Sequence, residues 1–172
     1  MNYKAVDIND ARASLILQTR GMNLRAIDRL ECKMVGSTSP SDSIYRGLIQ
    51  SRDHFCKIGV NTITNKPEFV FGVASTNDPT IGSPWLLATE DFKITTDWLK
   101  RCKKEMLPQI NKTFPILRNF IHKDNKQSMT WLRWLGFKFY DTPVSFHVDG
   151  TPSPAYVFTK LGDETLCANP QQ

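Results

Sequence analysis

The chain has 172 residues, 40% hydrophobic and 10% aromatic, which suits one domain with a real core and leaves little room for two. A net charge of +5 leaves room for a polyanionic partner, nucleic acid or a phosphate-bearing cofactor, although so mild an excess often serves only solubility. No window nears the roughly 18 uninterrupted apolar residues of a membrane span, and the opening "MNYKAVDINDAR" lacks a secretory-signal pattern, so a soluble intracellular protein is expected.

In chain order, "YKAVDI" alternates like a short strand. "NDARASLILQTRGMNLRAIDRLEC" then reads as a helical region interrupted near Gly21, with Asn9 or Asp10 as its cap. Ser39 to Ser43 start another helix, on which Ile44, Leu48 and Ile49 share a face. Three short apolar runs follow, "FCKIGVNTI", "PEFVFGVAST" and "SPWLLATEDF", separated by the turn-like "TNKP" and "NDPTIG". They predict an antiparallel meander. Ile94, Trp98, Leu99, Cys102 and Met106 restore helical spacing, which Pro108 should kink or end. "PILRNFIHKD" reads as a strand, "NKQSMTWLRWLG" as a helix stopped at Gly136, and "FKFYDT", "SFHVDG" and "AYVFTKL" as strands that complete a mixed sheet. No repeat or linker divides the chain, so residues 1–162 are expected to form one domain and 163–172 a flexible tail.

Four cysteines (Cys32, Cys56, Cys102 and Cys167) stand far apart, and His54, His122 and His147 fall in no ligand-like spacing. Reduced, mostly buried thiols are expected, with no metal site and no disulfide framework. Between Lys93 and Lys104, five cations face one acid, Asp97. A solvated helix face explains them better than nucleic acid, for which no recognition motif is present.

The most informative unit is "FIHKDNKQSMTWLRWLGF". A strand delivers Asn125 to a helix start, where its side chain can cap free N–H groups. Trp131, Trp134 and Leu135 share an apolar face, Gly136 permits a left-handed reversal, and Phe137 returns to the core. Strand, Asn125, helix, Ser128 and then Leu135-Gly136-Phe137 resembles the C-terminal half of the GNAT superfamily of N-acetyltransferases. The order of elements over residues 3–161 is similar too. With "SPWLLATEDF", the run "WLRWLGF" looks closest to the GNAT-like proteins of short-tailed bacteriophages, some of them internal virion proteins.

That resemblance implies an α+β fold, an α/β/α sandwich around a mixed, mostly antiparallel sheet of about six to seven strands with about four helices. It implies acetyl-CoA as cofactor and an amine acceptor, on a host protein for a phage enzyme, in the host cytoplasm or the virion. Thr89, Phe92, Lys93, Ile94, Thr95 and Thr96 would hold the coenzyme's pyrophosphate at a helix start, with Asn125 and Ser128 along its arm. Glu90, at the end of the "WLLAT" strand, would be the catalytic base. Two departures stand out: the loop "EDFKITTDW" has no glycine, and Leu132 occupies the place where the family often has a proton-donating Tyr. The alternative is a binding or virion structural protein on the same fold, without catalysis.

Overall fold

A computed structural model describes residues 3–162. The expected tail, with Cys167, lies outside them. The elements are β1 (Tyr3–Asp7), α1 (Ala13–Arg20), α2 (Ala26–Met34), α3 (Pro40–Ser51), β2 (Phe55–Asn61), β3 (Pro67–Ser75), β4 (Ile81–Ala88), α4 (Thr96–Arg101), α5 (Leu107–Asn111), β5 (Ile116–His122), α6 (Lys126–Trp134), β6 (Lys138–Phe139), β7 (Val144–Val148) and β8 (Thr151–Leu161). All eight strands join one sheet in the order β1-β2-β3-β4-β5-β8-β6, with β7 also on β8. The pairing is antiparallel except between β4 and β5. The expected mixed, mostly antiparallel α+β sheet is present, and β3 pairs antiparallel with both neighbours.

Each sheet face buries its own core. On one, Phe69, Phe92, Trp98, Met106, Leu107, Leu117 and Phe158 cluster beneath α4, α5 and α6. Phe69 is the hub: its ring stands 4.3 Å from Phe92 and 5.1 Å edge-on from Trp98. On the other face, Leu24, Ile44, Leu48, Ile58 and Val70 join β2 and β3 to α1, α2 and α3. Alternation along each strand sorts these side chains; in β4, Trp85 and Leu87 belong to the second face and Leu86 and Ala88 to the first.

Local chemistry explains most element ends. Ser39 caps α3 by accepting the Asp42 N–H, with Pro40 in the first turn. Asn125 caps α6 by accepting the Ser128 N–H at 3.3 Å, and Gly136 reverses the chain at φ +93°. The expected cap at Asn9 or Asp10 is not used. Instead Asp7 accepts the Asn9 N–H at 3.1 Å and holds a single 3₁₀ turn, Ile8–Asp10, while α1 starts later with Arg12 at its cap position. Pro108, in the first turn of α5, does not end the helical run, but the run departs from α geometry just before it. A wider π segment, Cys102–Met106, joins α4 to α5, and the Leu107 N–H reaches back to the Cys102 carbonyl.

Candidate functional site

The site begins where the sheet comes apart. β4 and β5 run parallel but pair only at Ile81 with Ile116 and at Gly82 with Leu117. The Thr89 N–H bonds the Glu68 carbonyl on the β3 side, so Gly82, Pro84, Leu86 and Ala88 turn their backbone groups toward β5. Pro84 has no N–H, and it stands at the step where the ladder to β5 should continue. One side chain fills that step: Asn119 Nδ2 donates to the Pro84 carbonyl at 2.9 Å, while Asn119 Oδ1 accepts the Phe120 N–H at 2.8 Å. Beyond it the strands diverge. The N–H and C=O of Leu86 have no partner among the described residues.

The far end of the gap is closed by α2. Asp28 Oδ2 accepts the Ala88 N–H at 2.8 Å, and the Arg25 N–H donates to the Ala88 carbonyl at 2.9 Å. On β5, Glu31 Oε1 accepts the His122 N–H at 2.8 Å and Asn125 Nδ2 at 3.1 Å. Asp28 and Glu31 are three positions apart and so lie on one side of the helix, replacing a missing strand on two edges at once. The Arg25 guanidinium locks Asp28 from Nε (3.0 Å) and Nη2 (2.7 Å), and its Nη1 reaches Gln127 Oε1 at 3.3 Å.

Burial governs the ionisation here. It pushes the Asp28 carboxyl up, against the opposing pull of Arg25. It pushes Glu31 up to about 7, with Asn125 and His122 stabilising the anion and Asp28 repelling it. Burial also holds the His122 imidazole below its usual range; its Nδ1 accepts the Asp124 N–H at 3.2 Å.

A cavity of ≈ 510 Å³ passes through the splayed sheet. On the α4–α6 side it is lined by Ile94, Trp98, Leu99, Cys102, Ser128, Trp131 and Leu132. On the α2–α3 side it is lined by Glu31, Cys32, Ser37, Ser43, Arg46, Gly47 and Trp85. Cys102 is held up to about 12 by burial, so it carries little thiolate.

The residues singled out from the sequence divide into two groups. Ile94, Asn125 and Ser128 are brought together on the cavity wall. Glu90 is exposed, does not line the cavity, and accepts the Ala26 N–H at 2.9 Å, which caps α2. Phe92 is only 2% exposed and its ring belongs to the aromatic core. Lys93 and Thr96 are exposed; the Lys93 N–H is taken by Tyr3 Oη at 3.3 Å, and Thr95 caps α4 by accepting the Trp98 N–H at 3.2 Å. Thr89 keeps a buried Oγ1 with no partner among the described residues. Leu132 lines the cavity with no proton to give, and Tyr140 is 54% exposed on the surface. Arg25, Asp28, Glu31 and Asn119 were not anticipated. The available signal was a pair of acids three apart on a helix that also carries the apolar Cys32 one turn after Asp28.

No family model matches the sequence, and no curated protein matches it. Solved structures do. A GNAT superfamily phosphinothricin acetyltransferase from Sinorhizobium meliloti, in complex with AcCoA, superposes with a TM-score of 0.68 at 12% identity, covering 100% of this chain and 95% of that one. A ribosomal-protein-S5-alanine acetyltransferase from Vibrio fischeri gives 0.66 at 12% identity, covering 95% of each chain. The spermidine N-acetyltransferase of Vibrio cholerae, in complex with CoA and spermine, gives 0.65 at 8% identity, covering 96% and 98%. The fold is therefore the GNAT fold.

Proposed function

We propose that this chain transfers an acetyl group from acetyl-CoA to a primary amine. The observation that carries the reading is the unpaired Leu86 edge inside the β4–β5 gap. The coenzyme's arm is an extended chain of methylenes and amides, so it would bond the Leu86 N–H and C=O as a strand would and bury its methylenes against Ile94, Trp98 and Trp131. Asn119 and the α2 carboxylates satisfy the Pro84 carbonyl and the Ala88, Phe120 and His122 N–H groups on the two edges and leave the Leu86 step open. The residues present fit the group along the arm.

At the pyrophosphate the fit rests on different groups from the usual glycine loop. The N–H groups of Thr96 and Asp97, at the start of the continuous α4–α5 run, have no partner among the described residues, and the Lys93 side chain is exposed beside them. Thr95 and Thr96 add hydroxyls. Bound there, acetyl-CoA would supply an activated thioester; the chain's own contribution is to hold thioester and amine together and exclude water. Neighbours of this fold include enzymes crystallised with AcCoA or with CoA and spermine, which supports the coenzyme and the amine class. The finer assignment, a phage enzyme acting on a host protein in the host cytoplasm or carried in the virion, is supported by the two sequence runs alone. Both runs contribute to the cavity wall, through Trp85 and Leu86 and through Trp131, Leu132 and Leu135.

The test is thermal. A ligand that binds only the folded state stabilises it by about 2.7 kcal/mol at 100 times its dissociation constant. For a chain of this size that is a melting shift of about 5–10 °C. No shift and no calorimetric heat at millimolar acetyl-CoA would refute the reading and favour a binding or structural protein.

A further inference from the structure

The cavity has a second mouth, between α2 and α3, which the coenzyme arm does not need. On the acetyl-transfer reading, we infer that this mouth admits the acceptor as an ammonium group on a slim apolar or aromatic stem, and that Glu31 takes its proton.

The geometry of Glu31 is that of a fixed base. Oε1 is committed to two donors, the His122 N–H and Asn125 Nδ2, so the carboxylate cannot rotate away. Oε2 has no partner among the described residues, while the side chain lines the cavity. No described cation pairs with it. Arg25, at the cap position of α2, has Nε and Nη2 on Asp28 and Nη1 on Gln127. The titratable groups facing it are Asp28 and Arg25 from the α2 end, the Cys32 thiol beside it on α2, which burial keeps protonated, and the largely neutral His122 from β5, while Arg46 of α3 lines the same mouth with its Nε on Asp42 Oδ1 at 3.1 Å. From α6 it meets only the neutral Asn125 amide. A partly buried carboxylate without a cation is a place for one to bind.

The walls define what carries that cation. From α3, the buried Ser43 Oγ lines the same cavity beside the Cys32 thiol. Trp85 presents its ring rather than its N–H, because Nε1 already donates to Ser51 Oγ at 2.7 Å. Gly47 lies against that ring: a Cβ there would stand 2.7 Å from Cζ2, so any larger residue would push the indole. Glu90, by contrast, spends its carboxylate on the α2 cap outside the cavity.

The chemistry balances as a proton transfer. An alkylammonium, with a pKa of about 10, has no lone pair with which to attack an acyl carbon. One proton passes from its nitrogen to Glu31 Oε2, giving a neutral amine and a carboxylic acid, and the acid later returns the proton to solvent. Burial places Glu31 at about 7, where a base is half ionised at neutral pH and still accepts a proton readily.

The test compares wild type with Glu31→Gln, which keeps an oxygen for the His122 and Asn125 donors. Thiol release from acetyl-CoA is followed with phenethylamine as the acceptor probe, from pH 5.5 to 9, alongside acetyl-CoA melting shifts. In wild type, kcat/KM for phenethylamine rises through pH 7, the value of the free protein, and levels. In Glu31→Gln it falls by about 10²-fold or more and loses that limb, while the melting shift is kept. Without the coenzyme, phenethylamine lowers the titration midpoint of the ¹³C-labelled Glu31 carboxyl. The inference is overturned by a Glu31→Gln kcat/KM within threefold of wild type, by a surviving limb, or by an unmoved ¹³C midpoint. It is also overturned if wild type binds acetyl-CoA yet acetylates no phenethylamine. Absence of any acetyl-CoA shift in wild type is a different failure, since it removes the acetyl-transfer reading and this inference with it.

Discussion

Replacing Asp28 with Ala tests whether α2 truly stands in for a missing strand. The substitution removes three bonds at once: Arg25 Nε at 3.0 Å, Arg25 Nη2 at 2.7 Å and the Ala88 N–H at 2.8 Å. Arg25 is only 6% exposed and would keep just one side-chain hydrogen bond, to Gln127 at 3.3 Å, besides its place over the Trp131 ring. Breaking one side of a buried ion pair costs about 3–5 kcal/mol, because a charge is left without compensation. For a chain of this length that is a fall in melting temperature of roughly 6–20 °C. Urea unfolding at pH 7 measures it, with the slope m unchanged if only stability moves. Removing both charges, in Arg25→Met with Asp28→Leu, should recover much of the loss, since a well-packed apolar pair often does as well as a buried ion pair. A loss below about 1 kcal/mol in the single variant, or a double variant no better than the single, would refute the role given to this pair.

Glu31 makes stability depend on pH. Its folded value is about 7, above the unfolded value, so the folded state holds the extra proton between the two. Stability contributed by this group is full below about pH 4.5 and is lost as pH rises through 7, by about 3 kcal/mol at most. Glu31→Gln should flatten that part of the curve in denaturant titrations, and an unchanged slope between pH 5 and 8 would contradict it. Gly59→Ala should destabilise by about 1–3 kcal/mol, because the new Cβ would lie 2.0 Å from the Phe69 ring, which Phe92 and Trp98 hold in place. A neutral result in thermal melts would show that Phe69 can move.

Much of the fold could be read because its signals are local. Alternating runs closed by "TNKP" and "NDPTIG" marked the β2–β4 meander, and Asn125 and Gly136 marked the two ends of α6. The expected helix cap at Asn9 or Asp10 fails because a 3₁₀ turn capped by Asp7 takes up those residues and α1 starts only after Arg12. The site was harder because its bonds span the chain. Glu31 meets His122 and Asn125 across 91 and 94 positions, and Asp28 meets Ala88 across 60. Nothing in the α2 stretch announces those partners. Glu90 drew attention by its place at a strand end, where a single backbone N–H sufficed to engage it. Pro84 was a legible clue to the gap, since a proline inside a central strand needs an unpaired side.

The claim that the coenzyme arm completes the open edge of β4 is tested most directly at the Leu86 amide. In a ¹⁵N-labelled protein titrated with acetyl-CoA, this N–H should shift downfield and gain protection from hydrogen exchange as it acquires an acceptor. The Ala88 N–H, already bonded to Asp28, should move far less. Binding that leaves the Leu86 amide unshifted and unprotected would contradict the claim.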